Sequence, residues 1–292
     1  MSRGALYMIA SALAFSIMSL LVKVASQAGL PTGELVLVRA VVTLIVSYAM
    51  VVRGGHHPWG NNRGKLILRG IVGFGGLTCY YGSIAHLPLA DATTIQNTTP
   101  VITSLLAWWV LKESVGWGAA FAIACGIGGV TLIVHPSGVG VDPIGLVFGV
   151  GACCCSALAY VTVRQLAKTE HPLVIVFYFP LVALPLSIPW AVYDWIWPSP
   201  VEWLLLVAIG LATQVGQVFL TMGLMIERAG KATSMGYVQV VFAMIWQTVL
   251  FDSPPELASI GGAALIVVGT LAVTRRAAAS PGTPPTSSAR PG

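Results

Sequence analysis

Between Gly4 and Thr274 the chain enters an apolar stretch ten times. The runs cover residues 4–25, 34–52, 66–84, 92–111, 116–134, 144–163, 173–193, 201–224, 232–251 and 258–274. About 20 residues of helix, at roughly 1.5 Å each, is the length that crosses a hydrocarbon layer about 30 Å thick. No water reaches the backbone inside such a layer, so each run must satisfy its own N–H and C=O groups by forming a helix. Turn-forming segments separate many of the runs: QAGLPTG, RGGHHPWGNNRG, HPSGVGVDP, DWIWPSP and DSPPE. Only 9% of the residues are charged and 56% are hydrophobic, whereas soluble domains carry about a quarter charged residues. The first run recurs too plainly later to be a cleaved signal peptide. The expected class is an all-α polytopic membrane protein.

Charge placement orients the spans. An even number of spans leaves both termini on one side. If that side is cytoplasmic, its loops and tails hold thirteen of the fifteen Lys and Arg, Arg69, Arg164 and Arg228 among them. Seven of the ten acids, including Glu34, Asp142 and Glu202, then face outward. This is the positive-inside pattern, so the basic pI near 9.1 reads as topology and nucleic acid is excluded as a partner. Trp190, Tyr193, Trp195, Trp197 and Trp203 gather at one loop, as an interfacial belt does. Residues 277–292 are Pro-, Ser- and Gly-rich and are expected to form a disordered cytoplasmic tail. The five cysteines all lie in apolar runs and read as packing residues.

The sequence partly repeats itself. A shift of 141 places Gly4 on Gly145, Tyr7 on Phe148, Lys23 on Arg164 and Pro31 on Pro172. A shift of 140 places Ala90–Thr94 on Gly230–Ser234 and Gly129 on Gly269. ATTIQNTTP (residues 92–100) and ATSMGYVQV (residues 232–240) then correspond, with Tyr237 where Asn97 stands. Five spans is an odd number, so the second unit enters the membrane from the opposite face. The expected domains are two inverted five-helix repeats, residues 1–139 and 140–276, around a central cavity.

Ten spans in two halves, with LPLADATTIQNTTPVITSLLAWWVLKES joining spans 3 and 4, resembles the drug/metabolite transporter superfamily, EamA type. The Ala-x-Ala spacing, the Pro-Val pair and the Lys-Glu at the end of span 4 carry that resemblance. The second half keeps Ala232 and Val241, but Val240 stands for the proline and Ser253 for the glutamate. Within the superfamily the chain is most similar to YddG-type exporters of aromatic amino acids. The resemblance implies that helices 1, 3, 4, 6, 8 and 9 line the cavity and that the halves rock by alternating access. Small multidrug pumps of this superfamily resemble one another in a membrane-embedded glutamate in span 1, which this chain lacks.

Polar residues inside the spans point to the solute path. Side-chain amides facing lipid would lack partners, so they face a cavity or another helix. The candidate binding residues are Thr78, Tyr81, Gln96, Asn97, Thr99, Tyr160, Gln214, Gln217, Tyr237 and Gln239. Gln214, Gln217 and Thr221 share one helical face. Arg39 pairs with Glu34 or anchors a substrate carboxylate. Pro100 cannot donate to the Gln96 carbonyl and is expected to kink span 4 as a hinge, freeing that carbonyl. Pro180, Pro185 and Pro189 mark span 7 as bent.

No HExxH, ligand cluster or Ser–His–Asp set falls within a span, so no enzyme activity, cofactor or metal is expected. Amide and tyrosine groups together suit an amino acid, especially an apolar or aromatic one. The expected function is export or exchange of such a metabolite across the inner membrane. Its partners would be the solute, the lipids and, as an option, a second copy in a homodimer. A multidrug or organic-anion exporter, a lipid flippase and a non-transporting scaffold are the alternatives.

Overall fold

A computed structural model describes residues 2–87, 92, 95–134, 142–251 and 257–278. The described residues form helices and no strand. In order they are α1 (Arg3–Gln27), α2 (Thr32–Arg53), α3 (Arg63–His86), α4 (Thr99–Leu111), α5 (Trp117–Val134), α6 (Pro143–Leu166), α7 (Pro172–Tyr193), α8 (Pro200–Ile226), α9 (Ala229–Met235), α10 (Val238–Phe251) and α11 (Leu257–Ala278). Six helical runs, with α9 and α10 taken together, are long and apolar enough to cross a membrane. Most of residues 277–292, residues 135–141 and 252–256, and most of Ala90–Thr94 lie outside the described residues.

Helix starts follow local chemistry. Three helices open with proline at the first helical position, where its missing N–H is lost to no bond. Asp142 caps α6, His171 caps α7, and Ser199 with Glu202 closes a capping box on α8. The three prolines expected to bend span 7 all lie inside α7, which continues as one helix through them.

Packing inverts the soluble pattern. The buried stripe of α1 is Gly4, Ala5, Met8, Ser11, Ala12 and Ser16, while Leu6 and Leu13 face outward. Small residues let helices approach where apolar burial gives no drive, because lipid tails are as apolar as leucine. The outward surface is large and aliphatic, including Ile45, Leu105, Val147 and Leu204, with Trp109 and Trp117 at one end and Trp197 and Tyr193 at the other. Gly129 and Gly269 show how close the approach is. Both sit on the α5–α11 crossing: a Cβ on Gly129 would fall 2.5 Å from the Gly262 oxygen, and one on Gly269 would fall 2.7 Å from Cβ of Cys125.

The most extensive helix contacts form a self-matching set, while smaller ones such as α7–α8, α6–α8 and α5–α9 have no counterpart of similar extent. α3 packs on α6 as α1 packs on α8; α2 on α8 as α7 on α3; and α4 on α6 as α9 and α10 on α1. The crossings α2–α7, α5–α11 and α4–α9 map onto themselves. Exchanging the first five spans for the second five leaves these larger contacts unchanged.

At the end of the bundle that holds Ser2, two loops are clasped. The Glu170 carboxylate accepts from the backbone N–H of Asn61 (2.8 Å) and Asn62 (2.5 Å), and the Tyr178 hydroxyl donates to the Trp59 carbonyl at 2.9 Å. His56 and His171 stack with ring centres 3.7 Å apart. Burial and the neighbouring His56 hold His171 below the usual histidine range.

Gly129→Ala is expected to destabilise the bundle by about 1–3 kcal/mol, because backbone rather than a flexible side chain meets the new methyl. Gly261→Ala, with no atom within 4 Å of its Cβ position, is the control and leaves thermal unfolding in detergent unchanged.

Candidate functional site

Two helices of this bundle are broken, at matching places. Residues 95 and 96 are helical, Asn97 and Thr98 form a turn, and α4 starts at Thr99. In the second half α9 stops at Met235, Gly236 and Tyr237 turn, and α10 starts at Val238. The breaks lie 139 residues apart, within one residue of the 140-residue shift that relates the sequences.

Pro100 therefore begins a helix rather than kinking one. It occupies the first turn of α4, where the absent N–H removes no bond. The carbonyl expected to be freed is also engaged: Thr99 Oγ1 donates to the Gln96 oxygen at 2.6 Å. Thr98 does the same for the Ile95 carbonyl at 2.7 Å. Both threonines supply hydrogen bonds that the interrupted ladder cannot. The second break is held by tight backbone bonds, Gly236 to Thr233 and Gln239 to Gly236, each 3.0 Å.

The two breaks touch. The Tyr237 hydroxyl donates to the Asn97 carbonyl at 2.7 Å, so each residue contacts its own counterpart in the other half. Tyr237 is buried and its ring fills the space beside Gly126, where any Cβ would collide with it. Gln96 reaches from the first break to the Ser156 hydroxyl on α6 at 3.4 Å. Cys153 donates to the Ile95 carbonyl at 3.0 Å. Thr99 is buried, while Gln96, Asn97 and Gln239 remain half-buried.

The remaining candidates divide. Gln214 and Gln217 lie on one face of α8. Gln214 is buried, its amide nitrogen 3.6 Å from the Met50 sulfur and its Oε1 without a partner. Gln217 accepts from Arg69 Nη2 at 3.4 Å. Tyr160 on α6 is half-buried and interacts with Arg69. Tyr81 sits apart from these, edge-on to Trp190 at 5.5 Å and interacting with Arg39. Thr78 is exposed and its hydroxyl bonds the Phe74 carbonyl of its own helix, away from the others.

Two readings of charge need correcting. Arg39 does not pair with Glu34: the buried Glu34 carboxylate accepts from the Ile196 N–H at 3.3 Å instead. Arg69, counted above among the loop cations, is buried inside the bundle, only 3% exposed. The helix α3 starts at Arg63, so Arg69 stands well inside its second turn. The signal that would have found it is this spacing from the first helical residue.

A second cluster, unsuspected from the sequence, ties one end of the bundle. Glu113 follows Lys112, which takes the left-handed conformation (φ 56°) that a non-glycine residue rarely adopts. One carboxylate oxygen of Glu113 pairs with Arg164 Nε at 2.8 Å and the other accepts from the Ala229 N–H at 3.0 Å. Arg164 Nη1 also donates to the Met225 carbonyl at 2.6 Å, and Arg228 Nη1 to the Ser114 hydroxyl at 2.9 Å. Glu227 binds Ser2 and, at 2.6 Å, Lys231. The ends of α1, α4, α6, α8 and α9 are thus joined beside the broken helix. Among the described residues no group of three or more His, Cys, Asp or Glu could hold a metal ion.

The model of the EamA-like transporter family matches residues 2–135 and 143–275. The chain is 33% identical to the pseudopaline exporter CntI of Pseudomonas aeruginosa over 273 residues, 93% of this chain and 96% of that one. It is 32% identical to solute carrier family 35 member G1 of Mus musculus over 291 residues, covering 94% and 78%. A solved crystal structure superposes with a TM-score of 0.85 at 19% identity, over 95% of this chain and 99% of that one. These relatives do not support the narrower YddG-type resemblance.

Glu113→Gln is expected to destabilise the protein by about 1–3 kcal/mol. That lies between an exposed pair and a fully buried one, as side chains 23% and 17% exposed require. Thermal unfolding in detergent of the single and double variants with Arg164→Gln checks it: the double variant should lose less than the sum of the singles.

Proposed function

The chain belongs to the EamA-like transporter family and is a membrane transporter, and we propose that it moves a small polar metabolite of the amino-acid class by alternating access. The observation that carries this reading is the pair of helix breaks in contact at Asn97 and Tyr237. Interrupted helices in corresponding positions of two halves are where transporters built from inverted repeats hold their solutes. The self-matching set of helix contacts supports two inverted five-helix repeats related by an axis through that contact.

Around the breaks stand amides, hydroxyls and aromatic rings. Gln96 and Asn97 offer donors and acceptors, Ser156 and Tyr160 offer hydroxyls, and Gln239 borders the second break. Such a lining binds both ends of a small zwitterion without a fixed net charge. Arg164, Lys168, Arg228 and Lys231 share the end of the bundle that holds Ser2. By the positive-inside rule that end is cytoplasmic in the inner membrane. The Glu113 cluster would then close the cytoplasmic side of the path in this conformation, and opening it would require Arg164 and Ala229 to part from Glu113. That one relative is named an exporter supports outward transport.

The test is a flux screen of the reconstituted protein across the amino acids, with and without a pH gradient. Gln96→Ala should lower the flux of the carried amino acid about tenfold or more, with thermal unfolding near wild type, since an amide lost from the lining leaves a polar solute group unpaired. Absence of flux for every amino acid would remove the substrate class. Unchanged flux in Gln96→Ala would remove the breaks as its path.

A further inference from the structure

The amides and tyrosines account for a polar solute but leave one group unused. Arg69 projects from α3 among α6, α7 and α8. Its guanidinium lies 5.2 Å from the centre of the Phe179 ring and bonds Gln217 through Nη2. Its Nε is buried with no partner. Gly73, one turn further along α3, provides the room, since a Cβ there would collide with Nη1. Among the described residues no carboxylate pairs with this cation; its one resolved electrostatic neighbour is Tyr160.

A guanidinium removed from water in the middle of a bundle is expensive unless an anion compensates it. The protein supplies acceptors that are too weak or too few: one amide oxygen at 3.4 Å and a ring face. One turn from Gln217, the Gln214 Oε1 is also buried without a partner. Gln214 is on the same face of α8 as Gln217, and its amide nitrogen approaches Met50 of α2. Gln217 and Tyr160, beside the guanidinium, retain accessible surface. Its free Nε and the adjacent Nη form the planar fork that matches a carboxylate with two parallel bonds.

We propose that Arg69, with Gln217 and Tyr160, is the site that binds the carboxylate of the transported solute. This rests on the transport reading above and names the group that the site recognises. Arg39 provides a second acid-free cation near Tyr81, and Tyr81 stands twelve residues beyond Arg69 on α3, about 18 Å along the helix. Lipid phosphate is disfavoured as the anion because Arg69 faces three other helices and only 3% of it is exposed.

The test compares phenylalanine with phenylalaninamide, which differ at the carboxylate, in proteoliposomes. The ratio of acid to amide flux should fall about ten- to hundredfold in Arg69→Gln, the value of one charge-assisted hydrogen-bonded pair. Arg69→Lys keeps the charge without the fork, so KM for the acid should rise with kcat retained. A ratio unchanged in both variants overturns the proposal, as does an equal fall of both fluxes. Should Arg69→Gln fail to fold, the Lys variant decides by the same ratio and KM. A wild-type protein that carries the amide and not the acid keeps the transport reading and overturns the carboxylate site. One that carries neither these two nor any other amino acid or amino-acid amide overturns both.

Discussion

A backbone group in the middle of a hydrocarbon layer has only protein to bond to, and the breaks at Asn97 and Gly236–Tyr237 are where that constraint is felt. Every carbonyl released by an interrupted ladder must find a donor. Thr98, Thr99 and Tyr237 provide three such donors by hydroxyl. Each lone pair so satisfied costs the protein a regular helix and leaves side-chain amides facing the interior. The rest of the bundle keeps that interior in place. Small residues allow the spans to close around it, and a large aliphatic surface faces lipid.

The same constraint explains the division of charge. Where charges meet the ends of helices they are paired: Glu113 with Arg164 and the α9 N–H, Glu227 with Lys231. Inside the bundle Arg39 and Arg69 have no acid among the described residues. Arg69 meets only an amide oxygen and a ring face, those of Gln217 and Phe179.

Much of this was legible in the chain. Run length and turn residues located the helices within a few residues, because membrane thickness fixes span length. The 140-residue shift paired Asn97 with Tyr237, and the Tyr237 hydroxyl bonds the Asn97 carbonyl. The breaks were not legible: Pro100 read as a kink, since a proline in an apolar run looks the same whether it interrupts a helix or starts one. Glu113 read only as part of the Lys-Glu pair that ends span 4, because its partners, Arg164 and Ala229, are more than 50 residues away in sequence. Arg69 was counted as a loop cation although it lies inside the run 66–84, because it stands near that run's start, close behind the basic Arg63 and Lys65. Pairing between distant residues is set by tertiary approach, which no local pattern encodes.

The central claim is that the breaks border the solute path. A single cysteine at position 96, in a chain otherwise free of cysteine, reports on it directly through reaction with a membrane-impermeant thiol reagent in sealed vesicles. The account predicts that Gln96→Cys reacts, and that saturating phenylalanine slows the reaction several-fold. A cysteine that stays unreactive from both faces, or reacts at a rate that no amino acid alters, would contradict it.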